Sequence, residues 1–544
     1  MSNSEFARQK LAELNTENCQ SLINKFDDAC NQYADKIAFS CIGQELTFAE
    51  IDSHSRNFAA YLLTEAGLEK GDRVAIQLPN LIQYPIVAWG ILRANLTIVN
   101  TNPMYTEREL IHQFNDSGAK ALVVLADLLP LVEKVLPQIG ISQVVVTNVF
   151  DMIEAQPLPK SDLDCLTSLP DALAKGASVE LPPSTTTMDS IAVLQYTGGT
   201  TGVAKGAVLS QGNLFASAAQ SAKASEEMLT PQEIAQGVEE IVIAPMPMYH
   251  VYGFTLSVIT VFLTGGLSVL IPDPRNIDSL IEAMKAYRFT GMAGVNTLFV
   301  GMMAHPDFDQ VDYSNVKGVI AGGAALVKEI GEEWKERTGS DIFEGYGLSE
   351  TAATLTVNKP NKRKLGTVGT PMASMEVQLR SAAGIEVDVD EEGEICVRGP
   401  QVMEGYWQRA AATAEVLDKE GWFKTGDIAI LQHDGFIKIV DRLTDMILVS
   451  GFNVYPNEIE DVVYSHKDIF ECAVVGVKDA KSGEAVKLYL ASTNPDLSVD
   501  DIKAYCRERL TGYKIPKFIE FKPELPKSNV GKILRRELRD EANA

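Results

Sequence analysis

From Val74 to Ala321, short β-branched runs alternate with helical stretches, and that rhythm constrains the fold more than any other feature. Val74 to Gln77, Thr97 to Asn100, Lys120 to Leu125 and Gln143 to Thr147 read as strands. Ile191 to Gln195, Ile241 to Pro245, Leu267 to Ile271, Gly291 to Val295 and Val319 to Ala321 continue the series. Between them lie helical stretches such as Ile277 to Tyr287 and Val327 to Arg337, and one that opens at Thr106 with Glu109 placed as a capping box. Strands separated by helices need crossover connections, which gives a parallel or mostly parallel sheet. Residues 155–189, rich in Pro, Ser, Thr and Asp, interrupt the series and read as a connecting stretch. From about Val368 the helices largely stop, and Met375 to Arg380, Glu394 to Arg398, Asp427 to Leu431 and Phe436 to Val440 suggest an antiparallel, turn-rich module.

A chain of 544 residues exceeds one ordinary core, so two or more domains are expected. Its net charge of −25 argues against general nucleic-acid binding, so an anionic ligand needs a local site. The seven cysteines form no CxxC pair and no metal-ligand spacing, which fits free thiols in a reducing, cytoplasmic setting. The N-terminal MSNSEFARQK has no apolar stretch and no cleavage pattern, so no signal peptide is expected. Val251 to Pro272 runs 22 residues without a charge, long enough to span a bilayer. Gly265-Gly266 breaks it, so it reads as a buried helix, a turn and a buried strand. Between Lys503 and Arg539 there are 11 Lys or Arg against 4 acidic residues, a local excess of +7. A solvated face accounts for most of these, and a few are placed to meet a phosphate-bearing ligand.

Chemistry concentrates first in Tyr196-Thr-Gly-Gly-Thr-Thr-Gly-Val-Ala-Lys-Gly206. Gly198, Gly199 and Gly202 let backbone amides converge on an anion, the hydroxyls of Thr197, Thr200 and Thr201 donate further bonds, and Lys205 adds charge. Strand, glycine-rich turn and helix is the expected geometry. The common P-loop is excluded, because no Ser or Thr follows Gly-Lys.

That stretch resembles the signature of the AMP-forming adenylating superfamily, which includes acyl-CoA synthetases, luciferases and peptide-synthetase adenylation domains. The remaining motifs of the superfamily follow in order: PMPMYH at Pro245 to His250, AGGA at Ala321 to Ala324, and EGYGLSET at Glu344 to Thr351. GWFKTGD at Gly421 to Asp427, DRLTDMILVSGFNVYPNEIE at Asp441 to Glu460, and PKSNVGKILRREL at Pro526 to Leu538 complete the set. SGFNVYPNEIEDVV and LTGYKIPK are most similar to bacterial long-chain fatty-acid–CoA ligases.

The resemblance implies an α/β protein whose large N-terminal domain has two doubly wound α/β subdomains plus a β-rich one, with a small mobile α+β C-terminal domain. It divides the chain into an adenylation core (1–440), a hinge (441–445) and a cap (446–544). It implies that a fatty acid of medium to long chain, ATP and coenzyme A become acyl-CoA, AMP and diphosphate through an acyl-adenylate. An aromatic-acid CoA ligase, or an acyl-AMP ligase serving a carrier protein, stays open as an alternative.

The roles it implies are specific. Glu350 and Thr197 hold Mg²⁺, and Thr197 through Lys205 grip the β- and γ-phosphates. Lys532 stabilises charge at the α-phosphate, and His250 stands near the acyl carboxylate. Asp427 takes the ribose hydroxyls with Arg442 beside it. Adenine lies against Tyr346, between Gly322-Gly323 and Glu344-Gly345, with Gly347 and Ser349 completing the cradle. The stretch from Val251, with Val295 to Leu298, lines the acyl pocket, and Ser450, Gly451, Tyr513 and Lys514 meet coenzyme A. Ser349 stands where the superfamily commonly has Thr, and Thr444 where it commonly has Lys or Asp at the hinge. Peripheral contact with the inner face of the membrane and a homodimer are both compatible with this reading.

Overall fold

The computed structural model describes residues 3–14, 18–161, 163–197, 204–450, 452–479, 481–528, 531 and 533–543. Two large sheets form the body of the N-terminal part. The first runs Gly405–Tyr406, Lys205–Ser210, Ile191–Thr197, Thr97–Asn100, Arg73–Gln77, Ala119–Leu125, Gln143–Thr147 and Leu166–Ser168. From Ile191–Thr197 to Leu166–Ser168 every pairing is parallel. The second runs Thr370–Pro371, Ala353–Val357, Ile342–Leu348, Gly318–Ala321, Gly291–Gly294, Ile241–Ala244, Leu267–Leu270, Ile37–Cys41 and Gln44–Thr47. It too is parallel through its centre. The strands expected in these two sheets all form, with ends shifted by at most two residues.

Helix Gln83–Arg93 is buried at every position, which accounts for its near-continuous apolar run. Its one charged member, Arg93, is paired with Asp27 at 2.6 Å and Asp52 at 2.7 Å, as a buried cation requires. Thr106 caps helix Glu107–Ser117, and the Glu109 carboxylate accepts both the Thr106 N–H at 2.8 Å and its hydroxyl at 2.7 Å.

The charge-free segment behaves as its glycines dictate. Val251 to Leu263 is helical, and its middle, Phe254–Thr260, is wound as a π-helix. There the Thr260 hydroxyl donates to the Thr255 carbonyl at 2.8 Å. A turn at Gly265, with φ +78°, leads into the buried strand Leu267–Leu270. No helix among the described residues is long and apolar enough to cross a membrane.

Glu376–Arg380, Glu392–Arg398, Phe423–Leu431 and Ile437–Arg442 make a four-stranded antiparallel sheet, the expected β-rich module. The C-terminal part has its own sheet, Phe452–Val454, Ile447–Val449, Gly483–Ser492 and Ile469–Asp479, with Phe518–Phe521 added in parallel. Its separate apolar core includes Val454, Ile459, Val474, Leu488 and Ile502. The fold is therefore the expected α/β arrangement of two doubly wound subdomains, a β-rich one and a small α+β unit.

Two local expectations fail. Residues 155–189 are not simply connecting, because they hold the edge strand Leu166–Ser168 and helix Leu169–Ala177. Pro170 there occupies the first turn of the helix, where its missing N–H is harmless, so it starts a helix rather than breaking one. The loop after Tyr196 does not open a helix either. It joins Ile191–Thr197 to Lys205–Ser210, which pair antiparallel from Ile191↔Ser210 to Thr197↔Lys205. The next helix, Gln211–Glu226, begins only after that second strand.

Candidate active site

Open α/β sheets favour a ligand cleft at the C-terminal ends of their strands, and here those ends meet the β-rich module through Tyr346, Asp427 and Arg442. The cleft walls are joined by buried polar contacts. Asn80, after the strand Arg73–Gln77, donates to the Ala244 carbonyl at 3.1 Å and the Met246 carbonyl at 2.9 Å, and accepts from Met248 N at 2.8 Å. The Tyr84 hydroxyl lies 2.5 Å from Asn100 Oδ1 and 2.9 Å from the Met248 carbonyl. Asn100 donates to Gln195 at 3.0 Å, and Gln195 donates to the Tyr249 carbonyl at 3.1 Å. The PMPMYH segment is thus fastened to the first sheet, with His250 capping the helix that follows: its Nδ1 accepts from Tyr252 N at 3.3 Å. Gly253 is obligatory here, because a Cβ would stand 2.3 Å from the Pro247 carbonyl oxygen.

At one end of the cleft, Tyr346 in strand Ile342–Leu348 donates its hydroxyl to Asp427 Oδ2 at 2.5 Å. Asp427 also pairs with Arg442 Nε at 3.1 Å, the two residues facing each other across adjacent antiparallel strands. Burial and the neighbouring carboxylate raise the Tyr346 hydroxyl well above its ordinary pKa, so it stays a donor.

Gly345 and Gly347 flank Tyr346, and a bulge separates Tyr346 from Gly347. A Cβ on Gly347 would come within 1.7 Å of the Ala353 carbonyl oxygen. Gly322 and Gly323 follow the strand Gly318–Ala321, and a Cβ on Gly322 would lie 3.2 Å from Tyr252 Cε1. Glu344 is buried, and its Oε1 accepts from Leu326 N at 3.1 Å. Burial pushes its carboxyl up to about 7.

At the other end, Ser349, Glu350 and Thr351 form a 3₁₀ turn. Glu350 Oε1 accepts the Tyr406 hydroxyl at 2.8 Å, and the Glu350 carbonyl accepts Met403 N at 2.8 Å. Lys205 Nζ lies 5.2 Å from the centre of the Tyr406 ring. Burial raises the Glu350 carboxyl, the Tyr406 bond lowers it, and Arg442 and Asp427 act on it in opposite senses. Thr197 and Lys205 close the ends of the loop strands; Gly198, Gly199, Thr200, Thr201, Gly202, Gly451 and Lys532 lie outside the described residues.

Sequence reasoning missed Tyr406. The local signal was a Gly405-Tyr406-Trp407 triplet, and nothing in it points to Glu350 more than fifty positions away. Val295 and Thr297, in the stretch expected along an acyl pocket, lie beside Gly531: a Cβ there would stand 2.7 Å from Thr297 Oγ1 and 3.4 Å from Val295 Cγ2. A cavity is lined by Tyr252, Thr255 and Leu256 from the stretch that begins at Val251, together with Ser221, Ala224, Ile320 and Met372.

The cap side adds a charged cluster. Asp441 accepts Asn457 N at 2.8 Å and Arg442 N at 2.7 Å, and lies 3.5 Å from the Arg535 guanidinium. Arg535 also meets Glu460, Asn457 and Asp445. Burial pushes the Asp441 carboxyl up to about 6 even with Arg535 beside it.

Paired α/β sheets, a β-rich module and a small appended α+β unit around one cleft define the class of adenylate-forming enzymes. The chain belongs to the AMP-binding enzyme family, whose main domain matches residues 26–407 and whose C-terminal domain matches residues 458–532. It is similar to a long-chain-fatty-acid–CoA ligase of Salmonella typhimurium, 44% identical over 98% of this chain and 96% of that protein. The corresponding ligase of Bacillus subtilis is 36% identical over 94% of this chain and 93% of its own length. A feruloyl-CoA synthase of Amycolatopsis sp is 32% identical over 91% and 94%. Among solved structures, ATP-bound MatB from Rhodopseudomonas palustris aligns with TM-score 0.84 at 26% identity, covering 96% of this chain and 99% of that one. The Bacillus subtilis o-succinylbenzoate CoA synthetase with ATP and magnesium aligns with TM-score 0.79 at 26% identity, covering 95% and 99%.

Proposed function

We propose that this protein is an AMP-forming fatty-acid–CoA ligase acting on medium- to long-chain acids. One observation carries the adenylation reading: Tyr346, Asp427 and Arg442 form one connected cluster, Glu350, Tyr406 and Lys205 form a second, and Arg442 and Asp427 act electrostatically on Glu350. Acceptor oxygens at the first cluster and a lysine beside a carboxylate at the second suit the two ends of a nucleoside triphosphate. Asp427, with two acceptor oxygens, takes the ribose hydroxyls; Tyr346 and the glycines around it take the base; Lys205 and the loop from Thr197 to Gly202 take the β- and γ-phosphates. The choice of a fatty acid rests on the 44% identity across nearly the whole chain.

Glu350 and Thr197 are hard oxygen donors suited to Mg²⁺, and the described residues include no group of three or more His, Cys, Asp or Glu that would cage a metal. That fits an ion held by one carboxylate together with substrate phosphates, where it would neutralise charge on the triphosphate. In the first half-reaction the acid's carboxylate oxygen attacks the α-phosphate of ATP, forming the acyl–phosphate bond as diphosphate leaves. Lys532 stabilises the charge that develops there. In the second, the coenzyme A thiol attacks the acyl carbon, loses its proton, and AMP departs. His250 stands at the carboxylate end, and the cavity beside Tyr252 and Thr255 receives the start of the acyl chain. Residues 1–440 serve as the core, 441–445 as the hinge and 446–544 as a cap that rotates between the steps.

A panel of acids from acetate to long chains and aromatics, with AMP and diphosphate followed in the presence of coenzyme A, tests the reading. Turnover with no acid sinks it, and turnover with aromatic acids alone replaces the fatty acid by the second reading that the feruloyl-CoA synthase similarity favours. Lys532→Ala should abolish adenylation yet spare conversion of supplied acyl-adenylate.

A further inference from the structure

Tyr406 lies outside the motifs quoted from this sequence, yet it meets both Glu350 and Lys205. Its backbone is fixed twice. Gly405 and Tyr406 pair with Val208 and Ala207 on the strand that begins at Lys205, and Trp407 N donates to the Gly206 carbonyl at 2.8 Å. Tyr406 N donates to Thr413 Oγ1 at 2.9 Å. One residue before the Gly405-Tyr406 strand, Glu404 N donates to the Val208 carbonyl at 3.0 Å, and Met403 N donates to the Glu350 carbonyl. The segment 403–407 is therefore a backbone splint between the loop strand and the turn that carries Glu350.

The side chain continues the splint. Its hydroxyl reaches Glu350 Oε1 at 2.8 Å, and its ring face lies 5.2 Å from Lys205 Nζ, within the range of a cation–π contact. A carboxylate that ligates a metal is usually oriented by a donor on its other oxygen, and losing such a donor weakens metal binding 10- to 100-fold. A phenol is well suited to this place. It carries one proton to give, and Glu350 Oε1 accepts it at 2.8 Å.

We propose that Tyr406 is a positioning residue: its hydroxyl holds one oxygen of Glu350 so that the other is presented to the divalent cation, while its ring steadies Lys205 over the same phosphates. This rests on the reading of Glu350 as a cation ligand, and the test separates the two.

Tyr406→Phe keeps the ring and removes the hydroxyl. The Mg²⁺ concentration giving half-maximal ATP–diphosphate exchange should rise roughly tenfold, with the maximal rate recovered at saturating Mg²⁺. Independently of turnover, calorimetric titration of ATP should show an affinity loss in 1 mM Mg²⁺ that shrinks at 20 mM. An unchanged Mg²⁺ requirement in both measurements overturns the proposal, as does a fall in maximal rate that Mg²⁺ does not restore. Glu350→Gln is the second arm. If that variant keeps the parent's Mg²⁺ dependence, Glu350 is not the ligand, and a shift in Tyr406→Phe alone would then have another origin. Tyr406→Leu removes the ring as well and should weaken ATP binding further at every Mg²⁺ concentration, reflecting the loss at Lys205.

Discussion

The Tyr346 hydroxyl donates to Asp427 Oδ2 at 2.5 Å, and Arg442 holds the other oxygen of the same carboxylate at 3.1 Å. Three strands from two sheets thus converge on one side chain that is only 4% exposed as a residue. Tyr346→Phe keeps the ring but frees one oxygen of Asp427, which the proposed function gives to the ribose. The expected result is a rise in the KM for ATP with about a tenfold fall in kcat/KM, equal to about 1.4 kcal/mol. Steady-state kinetics at varied ATP check it, and an unchanged KM would remove Tyr346 from the nucleotide site.

Glu344 gives a pH prediction with a defined sign. Its folded pKa of about 7 lies above the ordinary 4.5, so the folded state binds this proton more tightly than the unfolded chain. Its contribution is fully present below pH 4.5 and is lost as pH rises to about 7, by at most about 3 kcal/mol. Glu344→Gln keeps an acceptor for Leu326 N and carries no ionisation. Its melting temperature relative to the parent should therefore increase between pH 5 and pH 8, and parallel melting profiles across that range would contradict the prediction.

Gly347→Ala places a Cβ 1.7 Å from the Ala353 carbonyl oxygen, and backbone cannot move aside as a flexible side chain can. The expected loss is about 3 kcal/mol or more of stability, or an equivalent shift of the bulge. Either outcome displaces Tyr346 and Glu350 on its two sides, so adenylation should fall at least a hundredfold. A variant with parent-like melting and exchange activity would show that the bulge has slack.

Arg535→Ala leaves Asp441 and Glu460 facing each other without their shared cation. Removing one member of such a cluster destabilises by roughly 3 kcal/mol. The cap should loosen from the β-rich module, seen as faster protease cleavage between Arg442 and Ile447, the stretch joining their sheets. The Asp441 carboxyl, pushed to about 6 with Arg535 present, should titrate higher still, so the extra cleavage should already lessen as pH falls toward 6. Equal cleavage at all pH values in variant and parent would remove the cluster from any role in holding the cap.

Local patterns were readable where local physics dominates. The Thr106–Glu109 cap, the strand runs Gln143–Thr147 and Leu267–Leu270, and the turn at Gly265 depend on neighbours a few residues away, and the sequence displays those neighbours. Helix Leu169–Ala177 was hidden because its proline is read as a breaker until its place in the first turn is known. The hairpin Ile37–Thr47 joins the second sheet beside Leu267–Leu270, a pairing across more than two hundred residues that no local pattern announces.

The sequence by itself determined the chemistry available: the glycine- and hydroxyl-rich loop, the carboxylates Glu350 and Asp427, and the ordered motifs that mark the family. Only the tertiary structure decided their arrangement. It paired the strands on either side of the loop antiparallel and put the helix only after the second of them, set Asp427 opposite Arg442 by strand register, and brought Tyr406 to Glu350 and Lys205. Residue types are chosen one position at a time, whereas a site is a set of distances fixed by sheet order and packing. A tyrosine's role there is written in what folds against it.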